Sequence, residues 1–312
     1  MAGAVMTMQA ELVVDAKNGV GESPFWHAGE QALYWVDIPA RKLCRWEAAS
    51  SKVRFWDAPE MPACIAPLGN SGDWIAGMET GVFTLQPQAD GTLHSALLVP
   101  VAHATQGMRF NDGRCDRQGR FLAGTMLMNM AAAAPVGQIY RCEPMGDLTS
   151  LLDGLITPNG MAFSPDGHTM YLSDSHPSVQ LIWAFDYDTA TGTPSNRRVF
   201  ADMNPLPGRP DGAAVDADGC YWICGNDAGL IHRFTPAGKL DYSLAVPVKK
   251  PAMCAFGGTG LDTLFVTSIR PDGVDLSDQP LAGGLFALRP GVRGLPEPSC
   301  SSFSVSRFSS AI

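Results

Sequence analysis

Hydrophobic and polar positions follow a repeated pattern along the chain, in which a turn containing Gly precedes a short apolar and aromatic run. Six segments share this pattern, and successive turn glycines lie 41 to 52 residues apart. That interval is typical of a four-stranded blade of a β-propeller. The six segments are HAGEQALYWVDI, GNSGDWIAGMETGVFTL, DRQGRFLAGTM, SPDGHTMYLSDS, DADGCYWICGND and GGTGLDTLFVTSI.

Strand signals within the repeats support the same architecture. Apolar and polar residues alternate in ALYWVDI, YWICG and LFVTSI, and 33 Gly and 24 Pro interrupt every helical period. We therefore predict an all-β fold, a six-bladed β-propeller with four antiparallel strands per blade and almost no helix. A large sandwich or jelly roll is the structural alternative, but it would not require six similar units.

The pattern predicts one propeller domain over residues 11–290. The segment ELVVDA at 11–16 is expected to close the ring by pairing with the last blade, which includes GGLFALRP at 283–290. Residues 291–312 are rich in Ser and Pro, so we expect a flexible C-terminal tail.

Composition and charge narrow the class of ligand. The 312 residues are 46% hydrophobic and carry a formal charge of −9, which argues against a nucleic-acid partner or a polybasic membrane patch. A small neutral or cationic ligand, or a metal ion, fits this charge better. The N-terminus lacks the features of a signal peptide and no apolar run is long enough to cross a membrane, so we expect a cytoplasmic protein. The eight scattered cysteines are expected to be buried, reduced hydrophobic residues.

Polar residues stand at the same phase of four repeats, directly before or within the first strand. In a propeller such residues surround one mouth of the central channel. Two carboxylates and two amide carbonyls form an all-oxygen set that suits Ca²⁺, Mg²⁺ or Mn²⁺. A turn explains a lone Asn-Gly or Asp-Gly, but recurrence at one phase favours a shared site. The residues are Glu22 in GVGESPFW, Asn111 with Arg109 in MRFNDGRCD, Asn159 in TPNGMAF and Asp211 in RPDGAAVD.

These motifs, taken in order, resemble the signatures of the gluconolactonase family, which also contains regucalcin, the senescence marker protein. The resemblance runs from about residue 20 to 290. It rests on GESPFW…LYWVDI, RFNDGRCDRQGRFLAGTM, PNGMAFSPDGHTMYLSDS…FDYD, RPDGAAVDADGCYW and GGLFAL. It implies a six-bladed propeller that binds one divalent cation at the channel mouth and hydrolyses sugar lactones.

Carried over position by position, the resemblance implies a role for each candidate residue. Glu22, Asn159 and Asp211 would ligate the metal, with Ca²⁺ favoured and Zn²⁺, Mn²⁺ and Mg²⁺ as alternatives. Arg109 and Asn111 would hold the lactone, and Asp211 would also be the general base.

One segment departs from the family pattern. Some members place a substrate-binding Glu shortly after the AGTM strand, whereas residues 127–137 contain no acidic residue. The sugar preference of the family therefore does not transfer. Met126, Met128 and Met130 would either line a pocket or lid there or fill space by packing.

The resulting functional hypothesis is metal-dependent hydrolysis of an aldonolactone, such as gluconolactone, to the aldonic acid. The enzyme is expected to act as a monomer or small homo-oligomer. A phosphotriesterase-type hydrolase is an alternative, because a cation that polarises C=O also polarises P=O. A calcium-binding regulatory protein with little turnover is the other alternative, although Arg109 beside the ion favours catalysis.

Overall fold

A computed structural model describes residues 4–6, 10–69 and 71–301, with only the backbone of 4–6. Two short strands, β1 (Ala4–Met6) and β2 (Glu11–Val14), precede the first repeat. A single 3₁₀ turn, Met130–Ala132, is the one helical element in the described ranges. None of the described residues belongs to a helix that is long and apolar enough to cross a membrane.

The first three blades follow the predicted repeats, and each is a four-stranded antiparallel sheet. Blade 1 contains β3 (Gly21–His27), β4 (Ala32–Asp37), β5 (Lys42–Glu47) and β6 (Val53–Asp57); blade 2 contains β7 (Cys64–Pro67), β8 (Trp74–Gly77), β9 (Gly81–Pro87) and β10 (Leu93–Pro100); blade 3 contains β11 (Met108–Cys115), β12 (Phe121–Leu127), β13 (Gly137–Cys142) and β14 (Leu148–Leu155).

The last three blades complete the ring, which confirms the predicted six-bladed propeller. Blade 4 contains β15 (Pro158–Phe163), β16 (Thr169–Asp174), β17 (Leu181–Asp188) and β18 (Thr193–Asp202); blade 5 contains β19 (Arg209–Val215), β20 (Tyr221–Asn226), β21 (Leu230–Phe234) and β22 (Leu240–Ala245); blade 6 contains β23 (Pro251–Gly257), β24 (Thr263–Ser268) and β25 (Leu285–Leu288). Strand β1 pairs in parallel with β22 and so adds a fifth strand to blade 5.

Strand β2 closes the ring as the fourth strand of blade 6. It pairs antiparallel with β25, with Glu11 opposite Ala287 and Leu12 opposite Phe286. The expected pairing of 11–16 with the last blade is therefore confirmed. The first strand of each blade is innermost, and neighbouring innermost strands contact one another around the channel.

The hydrophobic core lies between neighbouring blades. Trp35, Trp74 and Trp222 are fully buried, and the Trp74 ring packs edge-on against Phe25 of blade 1 with 5.6 Å between centroids. All eight cysteines are buried, as the sequence predicts. Alternate strand residues thus fill the gaps between sheets and leave the polar positions of the inner strands for the channel.

Buried aspartates fix two of the repeated turns. Asp116 accepts hydrogen bonds from the backbone N–H groups of Gln118 (3.0 Å) and Arg120 (2.9 Å). Asp216 binds the N–H groups two and four positions after it in the same way, and both aspartates are 0% exposed. The glycine three positions after each has φ of 82° and 81°, a left-handed conformation that favours Gly. This hydrogen bonding explains why an Asp-x-x-Gly pattern recurs.

Residues 291–301 lie across the end of the channel opposite the mouth. Gly294 forms an antiparallel bridge with Asp216, and Cys300 forms a parallel bridge with Leu68. Glu297 pairs with Arg114 of β11 at 3.3 Å, and both side chains are mostly buried. These contacts hold the first part of the segment that the sequence assigns to a flexible tail. The domain boundary at residue 290 stays a prediction, and residues 302–312 lie outside the described residues.

Candidate metal centre and active site

All five predicted site residues lie on innermost strands, and all but Arg109 lie where the register against the second strand shifts. Such irregularities re-aim side chains and are common beside active sites. In β3 the pairing register with β4 shifts between Glu22 and Phe25, and comparable register shifts occur in β11, β15 and β19. The residues at these shifts include Asn111, Asn159 and Asp211, so the structure brings the four repeats to one mouth as the sequence pattern predicts.

The residues that follow two of these side chains adopt left-handed backbone conformations. Ser23, after Glu22, has φ of 51°, and Gly160, after Asn159, has φ of 61°. A Cβ on Gly160 would lie 2.5 Å from the hydroxyl of Tyr221, which donates a hydrogen bond to the Gly160 carbonyl at 2.7 Å. Asn159 is therefore followed by Gly because both the conformation and the lack of space require it.

Arg109, Asn111 and Asn159 form a continuous hydrogen-bonded chain across blades 3 and 4. Arg109 Nη1 donates to Asn111 Oδ1 at 2.9 Å and to the Phe110 carbonyl at 2.6 Å. Asn111 Nδ2 donates to Asn159 Oδ1 at 3.1 Å and to the Pro158 carbonyl at 3.0 Å. Asn111 therefore presents N–H rather than oxygen to Asn159. An ion bound at Asn159 Oδ1 would compete with this hydrogen bond.

Glu22 and Asp211 bring two carboxylates into the same buried region. Burial raises the pKa of Glu22 well above its ordinary value, and the negative charges of Asp211 and Asp112 raise it further. Burial likewise raises the pKa of Asp211 to about 7, although the hydrogen bond from Asn226 opposes the rise. That bond runs from Asn226 Nδ2 to Asp211 Oδ2 at 2.5 Å. Arg109 lowers the pKa of Glu22 and Arg209 lowers that of Asp211, but burial outweighs both and penalises the ionised carboxylates.

Asp112, which directly follows Asn111, supports the Asn159 turn. It is 5% exposed, and its Oδ2 accepts the Met161 N–H at 2.8 Å. Its Oδ1 is buried and has no hydrogen-bond partner among the described residues. Asp112 thus holds the backbone just after Asn159 and adds negative charge beneath the mouth.

Asp174, His176 and the methionines of the 126–130 stretch take supporting positions. Asp174 accepts backbone N–H groups from Ile156 (2.7 Å) and Thr157 (3.0 Å), so it stabilises the loop that leads into β15. The His176 ring contacts Ser178 and the Met130 carbonyl at the surface. Met126 is buried, whereas Met128, within the 127–137 segment, is 41% exposed.

Sequence reasoning missed three polar residues next to Asp211. Asn226 ends β20, Arg209 begins β19, and Lys250 directly precedes β23. Arg209 stands in the same RPDG motif as Asp211, which is a signal that the sequence does contain. Asn226 and Lys250 approach only through the pairing of strands and blades, so nothing local identifies them.

The donor set fits a hard divalent cation better than a soft one. Over the described ranges, no three His, Cys, Asp or Glu side chains converge on a common ion position. Asp211 supplies a buried carboxylate, Glu22 a half-buried one, and Asn159 Oδ1 an amide oxygen. Two carboxylates whose ionisation is penalised by burial gain most from a cation that replaces the missing positive charge.

Comparison with known proteins decides the family. Residues 20–270 match the family described as the SMP-30/Gluconolactonase/LRE-like region. The chain belongs to this family.

Similar proteins cover almost the whole chain. It is 36% identical over 295 residues to a 6-deoxy-6-sulfogluconolactonase of Pseudomonas putida, covering 94% of this chain and 99% of that protein. It is 32% identical over 294 residues to a regucalcin of Danio rerio, covering 93% and 97%. A solved structure of a calcium-binding protein, regucalcin, from Agrobacterium tumefaciens superposes with a TM-score of 0.87 at 28% identity, covering 96% and 99%.

Proposed function

We propose that this protein hydrolyses a sugar lactone, an aldonolactone such as gluconolactone, to the aldonic acid with one bound divalent cation. The observation that carries the proposal is the juxtaposition of two kinds of group at one mouth. Glu22 and Asp211 are carboxylates that need a cation, and they lie at the same mouth as the hydrogen-bonded pair Arg109 and Asn111. The sulfogluconolactonase among the relatives supports lactone chemistry.

Glu22, Asn159 and Asp211 would hold the cation, with Ca²⁺ favoured because a relative is described as calcium-binding. When bound, a divalent cation supplies polarisation of a carbonyl group. The other components of the mechanism come from the chain itself. Burial raises the pKa of Asp211 to about 7 in the metal-free protein. The positive charge of a bound cation would lower that pKa and keep Asp211 ionised, the form that accepts a proton from water.

Hydrolysis needs no co-reactant other than water. The water oxygen forms a bond to the carbonyl carbon while Asp211 accepts a water proton, the ring C–O bond breaks, and the ring oxygen takes up a proton. General-base assistance of this kind typically contributes about 10²–10⁴-fold. Asn226 holds one oxygen of Asp211 at 2.5 Å and so fixes the direction of the other.

Arg109 orients the substrate in this proposal. Its guanidinium is already fixed by Asn111 and the Phe110 carbonyl, so its remaining N–H groups point in defined directions. A planar, fixed donor of this type suits the hydroxyl and ring oxygens of a lactone. A regulatory calcium-binding module has no need of such a donor. The cytoplasmic location and oligomeric state stay predictions.

The test is a pH-indicator assay on metal-stripped protein with a panel of aldonolactones, adding Ca²⁺, Mg²⁺, Mn²⁺ or Zn²⁺ separately and subtracting the spontaneous rate. We expect one or more metals to restore turnover, and Asp211→Asn to lose it while remaining folded. Binding of metal without turnover on any lactone would favour the regulatory function. Turnover on phosphotriesters alone would favour the phosphoesterase.

A further inference from the structure

Two cationic side chains share a single carboxylate beside Asp211. Arg209 Nε lies 2.7 Å from Asp227 Oδ2, and Lys250 Nζ pairs with Asp227 Oδ1. Asp227 neutralises only one of them, so this trio carries a net positive charge. The trio stands out because the whole chain has a formal charge of −9.

The trio lies at the channel mouth, next to the proposed general base. Arg209 precedes Asp211 by two residues on β19, so the two α-carbons are separated by about 6.6 Å along the strand. Lys250 Nζ lies 3.5 Å from Asn226 Oδ1, while Asn226 Nδ2 binds Asp211. Both cations are therefore within the length of a six-carbon lactone from Asp211.

Both cations keep donors for a ligand. Arg209 uses Nε for Asp227 and Nη1 for the Ser175 carbonyl at 3.3 Å, which leaves its Nη2 without a partner among the described residues. The side chains of Arg209 and Lys250 are 22% and 27% exposed, so solvent reaches them from the mouth. The backbone of Asp227, which pairs with both cations, is also strained, because it is held at φ of 79°, a left-handed conformation.

We infer that Arg209 and Lys250 form a subsite for an anionic group on the end of the lactone remote from its carbonyl. This inference rests on the proposed lactonase function. The substrate class is then an aldonolactone that carries a sulfonate, phosphate or carboxylate, all of which present terminal oxyanions to Arg and Lys. The Pseudomonas putida relative is described as acting on a sulfonated lactone, which supports this class.

Steady-state kinetics on a neutral lactone and its anionic counterparts test the subsite. Gluconolactone is compared with its 6-sulfonated, 6-phosphorylated and 6-carboxylated counterparts in the metal-loaded protein. Arg209→Gln and Lys250→Gln should each raise KM for the preferred anionic lactone by about 10–100-fold, the usual effect of losing a charged hydrogen bond. Their KM for gluconolactone should change by less than about twofold; KM rather than kcat is the readout, because Arg209 also lowers the pKa of Asp211.

Asp227→Asn distinguishes a binding role from a structural one, because the two roles predict opposite effects. Removing the competing carboxylate should lower KM for the anionic lactone and leave KM for gluconolactone unchanged. A merely structural clamp would instead lose activity on both substrates. Arg198→Gln is the matched control, since Arg198 pairs with Asp186 at 2.7 Å on the outer part of blade 4.

Binding measurements separate failure of the subsite from failure of the lactonase proposal. Calorimetry compares gluconate with 6-phosphogluconate and 6-sulfogluconate on the metal-loaded protein. Tighter binding of one charged compound that is lost in Arg209→Gln supports the subsite even if no lactone is hydrolysed. Equal binding of all three, or equal loss of activity on neutral and anionic lactones in the variants, overturns it even if gluconolactone is a good substrate.

Discussion

Replacing Asp211 by Asn should make the metal-free protein more stable at alkaline pH, although it should abolish activity. Asp211 is 6% exposed, and burial raises its pKa from an ordinary 3.8 to about 7. This rise in pKa of about three corresponds to at most about 4 kcal/mol of unfavourable free energy for the folded protein with Asp211 ionised. Asn keeps the shape of the side chain and can still accept the hydrogen bond from Asn226, but it carries no charge.

The sign of the pH dependence follows from the direction of this change in pKa. Between the unfolded pKa of about 3.9 and the folded value near 7, the folded protein binds more protons than the unfolded chain. The stability of the metal-free wild type should therefore fall as pH rises from about 4 to 7 and then level off. In Asp211→Asn this contribution is absent, so its advantage should be greatest at pH 8 and shrink towards pH 4.

The assay is urea unfolding of metal-stripped protein from pH 5 to 8, with thermal melting as a second readout. A gain of 4 kcal/mol would raise the melting temperature by at most about 6 °C for a chain of this length. Asp153→Asn, an exposed change on β14, is the control and should have an effect within about 0.5 kcal/mol. A variant that is less stable than wild type at pH 8, or whose advantage does not vary with pH, would refute the reasoning.

Three further changes test other parts of the structure. Glu22→Gln should lower divalent-ion affinity by at least about 100-fold with an unchanged circular dichroism spectrum; calorimetric titration measures this. Gly160→Ala should lower the free energy of unfolding by about 1–3 kcal/mol, because it adds a Cβ 2.5 Å from the Tyr221 hydroxyl at φ of 61°. Urea unfolding of the double variant with Tyr221→Phe checks this, since removing the hydroxyl should partly restore stability. Arg114→Met should lower the free energy of unfolding by about 3 kcal/mol, because it leaves Glu297 unpaired. An unfolding curve equal to that of wild type would show that the ion pair does not contribute to stability.

The repeats made the fold predictable because each blade repeats the same turn and strand chemistry. The 41-to-52-residue period and the alternation in the strands were enough to give six blades and the closing strand at Glu11–Val14. The turn glycines were less uniform than the pattern suggested. Gly167 has φ of 76°, but the left-handed residues are Gln31 in the repeat of Gly29, and Gly258 and Leu261 in the repeat of Gly260. Several local solutions can form the same hairpin, so sequence alone does not choose among them.

The site was predictable only where its residues are local to a motif. Asn159 precedes a Gly whose left-handed conformation the dipeptide itself indicates, whereas Ser23 after Glu22 gives no such signal and depends on the Ile65 N–H, 2.9 Å from its hydroxyl. The contact between Asn226 and Asp211 arises from cross-strand geometry. Lys250 arrives from the next blade. The net negative charge of the chain predicts a neutral or cationic ligand, but it does not reveal that Arg209 and Lys250 place two positive charges beside Asp211.

The most direct test of the central claim is a titration of metal-stripped protein with Ca²⁺, in which ion binding and lactonase turnover are measured on the same samples. The account predicts one bound ion per chain, with turnover rising in proportion to occupancy and both lost in Glu22→Gln. Full turnover in the stripped protein, or saturation with Ca²⁺ and with each alternative metal without turnover above the spontaneous rate, would contradict it.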